Sequence, residues 1–201
     1  MVRRVCFDIQ SDFFIRPLAL PLDDDPNEAR WYLKTQWRSR RKGTCKFQAA
    51  SAFDDSNQQY MDFTDCNRFF AYLLNADEII TFNGRKYDFV VLENVVGEEA
   101  AKALWARPHH DLWKWEDYPR RLEEAVAHFL PQLKPRFEDV RTERRAELGP
   151  LDSEDALLNW LAGTYRDVFF TYKLFLKYLE SGDSGRTFCN DLEILEPLEQ
   201  L

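Results

Sequence analysis

Three acidic positions, far apart along the chain, stand where segments begin or end. Asp8 lies in Phe7-Asp8-Ile9-Gln10-Ser11-Asp12, Asp88 follows the turn Asn83-Gly84-Arg85-Lys86, and Asp167 lies in Thr164-Tyr165-Arg166-Asp167-Val168. Side chains alternate along an extended strand, so Asp8, Gln10 and Asp12 project to one face. Asp167, Thr171 and Leu174 share a stripe at helical spacing. Magnesium and manganese prefer oxygen ligands. Two-metal phosphodiester cleavage needs carboxylates from separate elements, converging so that the ions sit roughly 3.5–4 Å apart. Taken singly, an Asp at a strand end is more often a cap or turn residue, and an Asp in a helix is usually solvated. Their order along the chain gives them weight together.

The elements that would position these acids follow from patterning. Residues 2–10 read as a strand, then Pro17, Pro21 and Pro26 interrupt regular structure over about 16 to 43. Residues 44–53 and 58–63 read as two strands around Asp54-Asp55-Ser56-Asn57, hence antiparallel. Asp65 is an N-cap candidate for a helix with Phe69, Phe70, Leu73 and Leu74 on its apolar face. Glu78–Phe82 reads as a strand, 87–96 as a helix and His109–Trp113 as a strand. The stretch 118–147 reads as two helical segments broken by Pro131 and Pro135. Asp152 to about Leu179 reads as one or two helices, ending at Ser-Gly-Asp-Ser-Gly. The order β-β-β-α-β-α-β-α-α predicts an α/β domain over 1–186 with a mixed sheet, and 187–201 as a tail or edge strand.

The motifs carry a family resemblance over nearly the whole chain. Val5-Cys6-Phe7-Asp8-Ile9-Gln10, the Asn83-to-Asp88 turn, His110-Asp111-Leu112 and the Asp167-to-Phe175 helix resemble, in order, the DEDD-type 3′–5′ exonucleases. The likeness is to the ribonuclease H-like domains associated with helicases. It implies a ribonuclease H-like sheet, antiparallel in its first three strands and then parallel, flanked by helices. It implies that Asp8, Asp88 and Asp167 hold two Mg2+ or Mn2+ ions, with Gln10 or Asp12 completing the shell. Asn83 would orient the turn or touch the substrate backbone, with Arg85 and Lys86 beside it, and Asp111 would support the site or face substrate. The implied reaction is hydrolysis at the 3′ end of single-stranded DNA or RNA. The alternative is a weakened or inactive nuclease-fold module that binds nucleic-acid ends or docks on a helicase or similar partner. A docking module would show an apolar patch on 118–147 or on the tail.

Two departures bear on whether the chain is an enzyme. The family's first motif is Asp-x-Glu, but position 10 is Gln. A Tyr four residues or a His five residues before the last Asp serves the family's water, and here those positions are Gly163 and Ala162. Tyr165 is nearby, on another helix face.

Composition narrows the remainder. A net charge of −8 argues against electrostatic coating of nucleic acid. The segment from Arg30 to Lys42 interleaves Trp37 with Arg38, Arg40 and Arg41, which suits phosphates and unpaired bases. A solvated hairpin packing Trp31 and Trp37 on the domain accounts for the pattern somewhat better. The run from Arg136 to Glu147 alternates in sign and reads as an exposed helix face. Only 7 Gly are present, without a phosphate-cradling loop. Four scattered cysteines form no zinc spacing, and with no secretory signal the expected setting is a reducing cytoplasm.

Overall fold

The computed structural model describes residues 2–11, 46–84, 87–112, 121–149 and 155–182. The basic aromatic segment, with Trp37, Arg38, Arg40 and Arg41, lies outside the described residues, as do Asp12, Arg85, Lys86 and the tail 187–201.

Five strands form one sheet: β1 (Arg4–Ser11), β2 (Phe47–Asp54), β3 (Gln59–Phe63), β4 (Glu78–Thr81) and β5 (His109–Asp111). Their spatial order is β3-β2-β1-β4-β5. β2 pairs antiparallel with β1 and β3, whereas β4 runs parallel to β1 and β5. This is the mixed sheet expected from the sequence. The helices are α1 (Cys66–Leu73), α2 (Asp88–Val96), α3 (Glu98–Trp105), α4 (Leu122–Phe129), α5 (Phe137–Leu148) and α6 (Ala156–Glu180), with a 3-10 stretch at Pro131–Arg136.

Alternation along β1 divides the interior in two. Val5 and Phe7 face a core with Phe69, Leu73, Phe89, Leu92 and Leu104, covering one side of the sheet with α1, α2 and α3. Cys6 faces the other core, with Val126, Phe137, Val140, Val168, Phe170 and Phe175 from α4, α5 and α6. Asp8 and Gln10 have the parity of Cys6, so the strand aims them toward α6.

Local signals placed most elements. Asp65 caps α1 by accepting from the Arg68 N–H at 3.0 Å. Pro131 and Pro135 separate α4 from α5. Asp155 caps α6, which runs 25 residues unbroken, and Gly182 at φ +79° follows its end. The expectation of one or two helices there resolves to one, roughly 38 Å long.

Three readings need correction. α3 was absent from the expected order. Gly97, at φ +89°, turns the chain sharply after α2 so that a short Ala-containing helix buries Ala101 and Leu104. β5 ends at Asp111 rather than Trp113. The Arg136-to-Glu147 run is not simply an exposed face, because Arg145 is buried, donating to Asn159 Oδ1 at 3.0 Å and Gly149 O at 3.2 Å. Arg144 pairs with Asp62 at 2.5 Å and lies over Tyr165. Among the described residues no helix is long and apolar enough to cross a membrane.

Candidate functional site

Asp8, Asp88 and Asp167 come from β1, the start of α2 and the middle of α6, yet each stands in the electrostatic field of the others. Burial pushes the Asp8 carboxyl well above the usual carboxylate range. Asp88 and Asp167 push it further, and the Arg166 guanidinium opposes them. Burial likewise raises Asp88 well above that range, with Asp111 and Asp167 adding to the rise, while the N–H of Ile9 opposes it. Asp167 is raised by burial against the opposing charges of Arg166 and Arg141. Even Cys6, one turn of the pleat below Asp8, registers the cluster: burial raises its thiol, and Asp8 and Asp88 raise it more.

The turn carrying Asp88 is built by close approach. A Cβ at Gly84 would stand 2.5 Å from the Thr81 side chain, so only glycine fits there. Asn83 takes φ +64°, and its N–H donates to Asp111 Oδ1 at 2.6 Å. Asp111 thereby supports the turn from β5. Thr81, in turn, hydrogen-bonds His109 Nε2 at 2.7 Å. The Asn83 side-chain oxygen is buried, without a hydrogen-bond partner among the described residues. Asp88 then points back to β1, accepting from the Ile9 N–H at 2.9 Å.

Next to the acids lies a cavity of about 290 Å³, bounded by Gln10, Arg141, Asn159, Trp160, Arg166 and Asp167. Gln10 donates through its amide to the Ser11 carbonyl at 3.2 Å, beside an irregularity in the β1–β2 register. Arg166 is gripped on three sides. Its Nε meets Asp167 Oδ1 at 2.8 Å, its Nη1 meets Glu138 at 2.9 Å, and its plane covers the Phe137 ring at 4.5 Å. Gly163 also lines this cavity, and a Cβ there would meet nothing within 4 Å. The position where the resembled family carries its Tyr is open space. Tyr165 faces elsewhere, against Tyr60 at 4.5 Å and under Arg144.

An implied divalent cation can be tested against these donors. Three aspartates are the right chemistry for a hard ion. In the present arrangement one oxygen of Asp88 is held by Ile9, one of Asp167 is held by Arg166, and Gln10 brings no charge. Among the described residues, no three His, Cys, Asp or Glu side chains gather closely enough to grip one ion. The described donors therefore form an incomplete set for such an ion, and Asp12, which would complete it, lies outside the described residues.

Sequence reasoning missed Arg141, Arg166 and Trp160. Arg166 adjoins the acid it neutralises. On α5, the spacing of Phe137, Val140, Arg144 and Leu148 signals an inward stripe within the charged run. The described part of 118–147 adds no large exposed apolar side chain of the kind a docking face would need.

No family model matches the chain, and no curated protein matches it. Among solved structures, the chain is similar to the family B DNA polymerase from the hyperthermophilic archaeon Pyrobaculum calidifontis. The likeness is at 15% identity with a TM-score of 0.50, over 89% of this chain. It spans only 25% of that polymerase. With the strand order above, it establishes the fold as α/β, with a mixed, ribonuclease H-like sheet between two helical layers.

Proposed function

We propose that this chain is an exonuclease-like domain that holds the 3′ end of single-stranded nucleic acid and has lost phosphodiester hydrolysis. One observation carries the reading: Asp8, Asp88 and Asp167 act on one another electrostatically around the central strand β1, but Arg166 is already paired to Asp167. Convergence of three remote acids supports descent from a nuclease-type site. An internal guanidinium at that site, glutamine at position 10 and the gap at Gly163 support a change of task. Similarity to a DNA polymerase supports a nucleic-acid setting.

The test uses a 5′-fluorescein single strand, as DNA and as RNA, with Mn2+ present. Fluorescence anisotropy should report binding, and denaturing gels should show strands of unchanged length. Stepwise shortening that Asp88→Asn abolishes would instead establish a 3′–5′ exonuclease, the second reading, which the convergence of the aspartates favours. Absence of binding to either strand would overturn the proposal.

A further inference from the structure

The charges around the cavity beside the acids are already committed. Arg166 is shared between Asp167 and Glu138, Arg141 acts on Asp167, and Asp8 stands in the field of Arg166. What the lining still offers is neutral. Ala156, Asn159, Trp160 and Gly163 recur at helical spacing along α6 and share the face that borders the cavity. Trp160 is half-buried there, between two residues too small to cover its indole, Ala156 four positions before it and Gly163 three after. A Cβ at Gly163 would meet nothing within 4 Å, and among the described residues no ring packs on Trp160. Two amides line the same space. Arg145 holds the Asn159 oxygen at 3.0 Å, which leaves the Nδ2 donor over. Gln10 commits its Nε2 to the Ser11 carbonyl at 3.2 Å, which leaves its Oε1 as an acceptor. An uncovered aromatic face with a spare donor and a spare acceptor matches a nucleobase, which has a π-face to stack and a polar edge to pair.

We infer that this cavity receives the 3′-terminal base of a single strand, stacked on Trp160 in the space that Gly163 leaves open. Asn159 Nδ2 and Gln10 Oε1 meet the polar edge of that base. The inference rests on the end-binding reading above and deepens it by naming the part of the strand that is held. Every base has a π-face, and its edge carries donors and acceptors, so the slot tolerates any terminal base. A volume of about 290 Å³ is ample for one unpaired base. Glutamine at position 10 suits this task, because it supplies a neutral acceptor without adding another negative charge beside the aspartates.

The experiment uses 5′-fluorescein single strands, read by anisotropy, that end in an ordinary 3′ nucleotide or in a 3′ abasic residue. The two carry equal numbers of phosphates, so a difference between them reports the base alone. Loss of the terminal base should weaken binding about tenfold. The factor should be the same at about 50 and 200 mM salt. An abasic residue placed in mid-strand should leave affinity nearly unchanged. Trp160→Ala should remove the difference between the two ends, and Trp160→Phe should keep most of it. Gly163→Leu fills the slot from a helix position where the added Cβ meets nothing. It should remove the difference while melting no lower than the parent, which separates lost recognition from lost folding. Equal binding of the two ends, or a difference that survives both Trp160→Ala and Gly163→Leu, overturns the inference while leaving end binding intact. An equal loss from the mid-strand lesion does the same. Failure to bind either strand overturns both.

Discussion

The backbone N–H of Ile9 donates to Oδ1 of Asp88 at 2.9 Å, tying the middle of β1 to the first turn of α2. Asp88 is 4% exposed, so this bond is made where water cannot replace it. Asp88→Asn keeps an oxygen acceptor and removes a charge that burial disfavours. Without divalent ions at neutral pH, it should be at least as stable as the parent. Asp88→Ala strands the Ile9 donor and should cost about 1–3 kcal/mol. Urea unfolding of the two variants side by side checks this, and equal destabilisation would refute it.

Asp54 gives the pH dependence its clearest sign. Burial opposes its ionisation, but bonds from the Ser56 hydroxyl and Arg3 outweigh that and hold the carboxyl below its usual range. A carboxylate lowered in the folded state contributes stability above its unfolded value, near 3.8, and loses it as pH falls through the folded one. Asp54→Asn should therefore destabilise at pH 7. The gap to the parent should close below about pH 3.8. Thermal melts across that range measure the convergence, and a constant gap would refute it.

Gly84→Ala should be more damaging than a loop substitution usually is. The new methyl meets Thr81 at 2.5 Å, and the turn cannot shift without moving Asp88. The expected cost is about 1–3 kcal/mol. Thr81→Ser, which removes one of the three clashing atoms, should recover part of it. Denaturation midpoints of the single and double variants decide the matter.

Gly163→Ala should do the reverse. Gly163 sits inside α6 with open space beyond its Cα, so alanine gains helix propensity without a clash. Stability should rise by about 0.5–1 kcal/mol. For a chain of this size, that is an increase of roughly 1–4 °C in Tm. Calorimetry reads it directly, and a fall in Tm would mean the helix is strained there.

Much of this fold could be read from the sequence because the signals were local. Asp65 followed by an apolar stripe marks α1, the paired prolines divide α4 from α5, and alternation along β1 aims Asp8 and Gln10 together. The convergence of Asp8, Asp88 and Asp167 was legible only through a resemblance, since no local rule relates residues 80 apart. What escaped was set by tertiary contact. Arg145 looks like any surface arginine until Asn159 and Gly149 close over it. Arg166 looks solvated until Phe137 and Glu138 seat it beside Asp167.

Strand order also dictates a sequence of events in folding. The β2–β3 hairpin closes over four residues, 55–58, whereas 35 residues separate β1 from β2 and 66 separate it from β4. Closing long loops costs entropy that a hairpin largely avoids. On dilution from denaturant, amides of β2 and β3 should gain exchange protection ahead of those of β1. The centre of the sheet, where β1 meets Asp88, would then be the last part to come together, and simultaneous protection of all three strands would contradict that order.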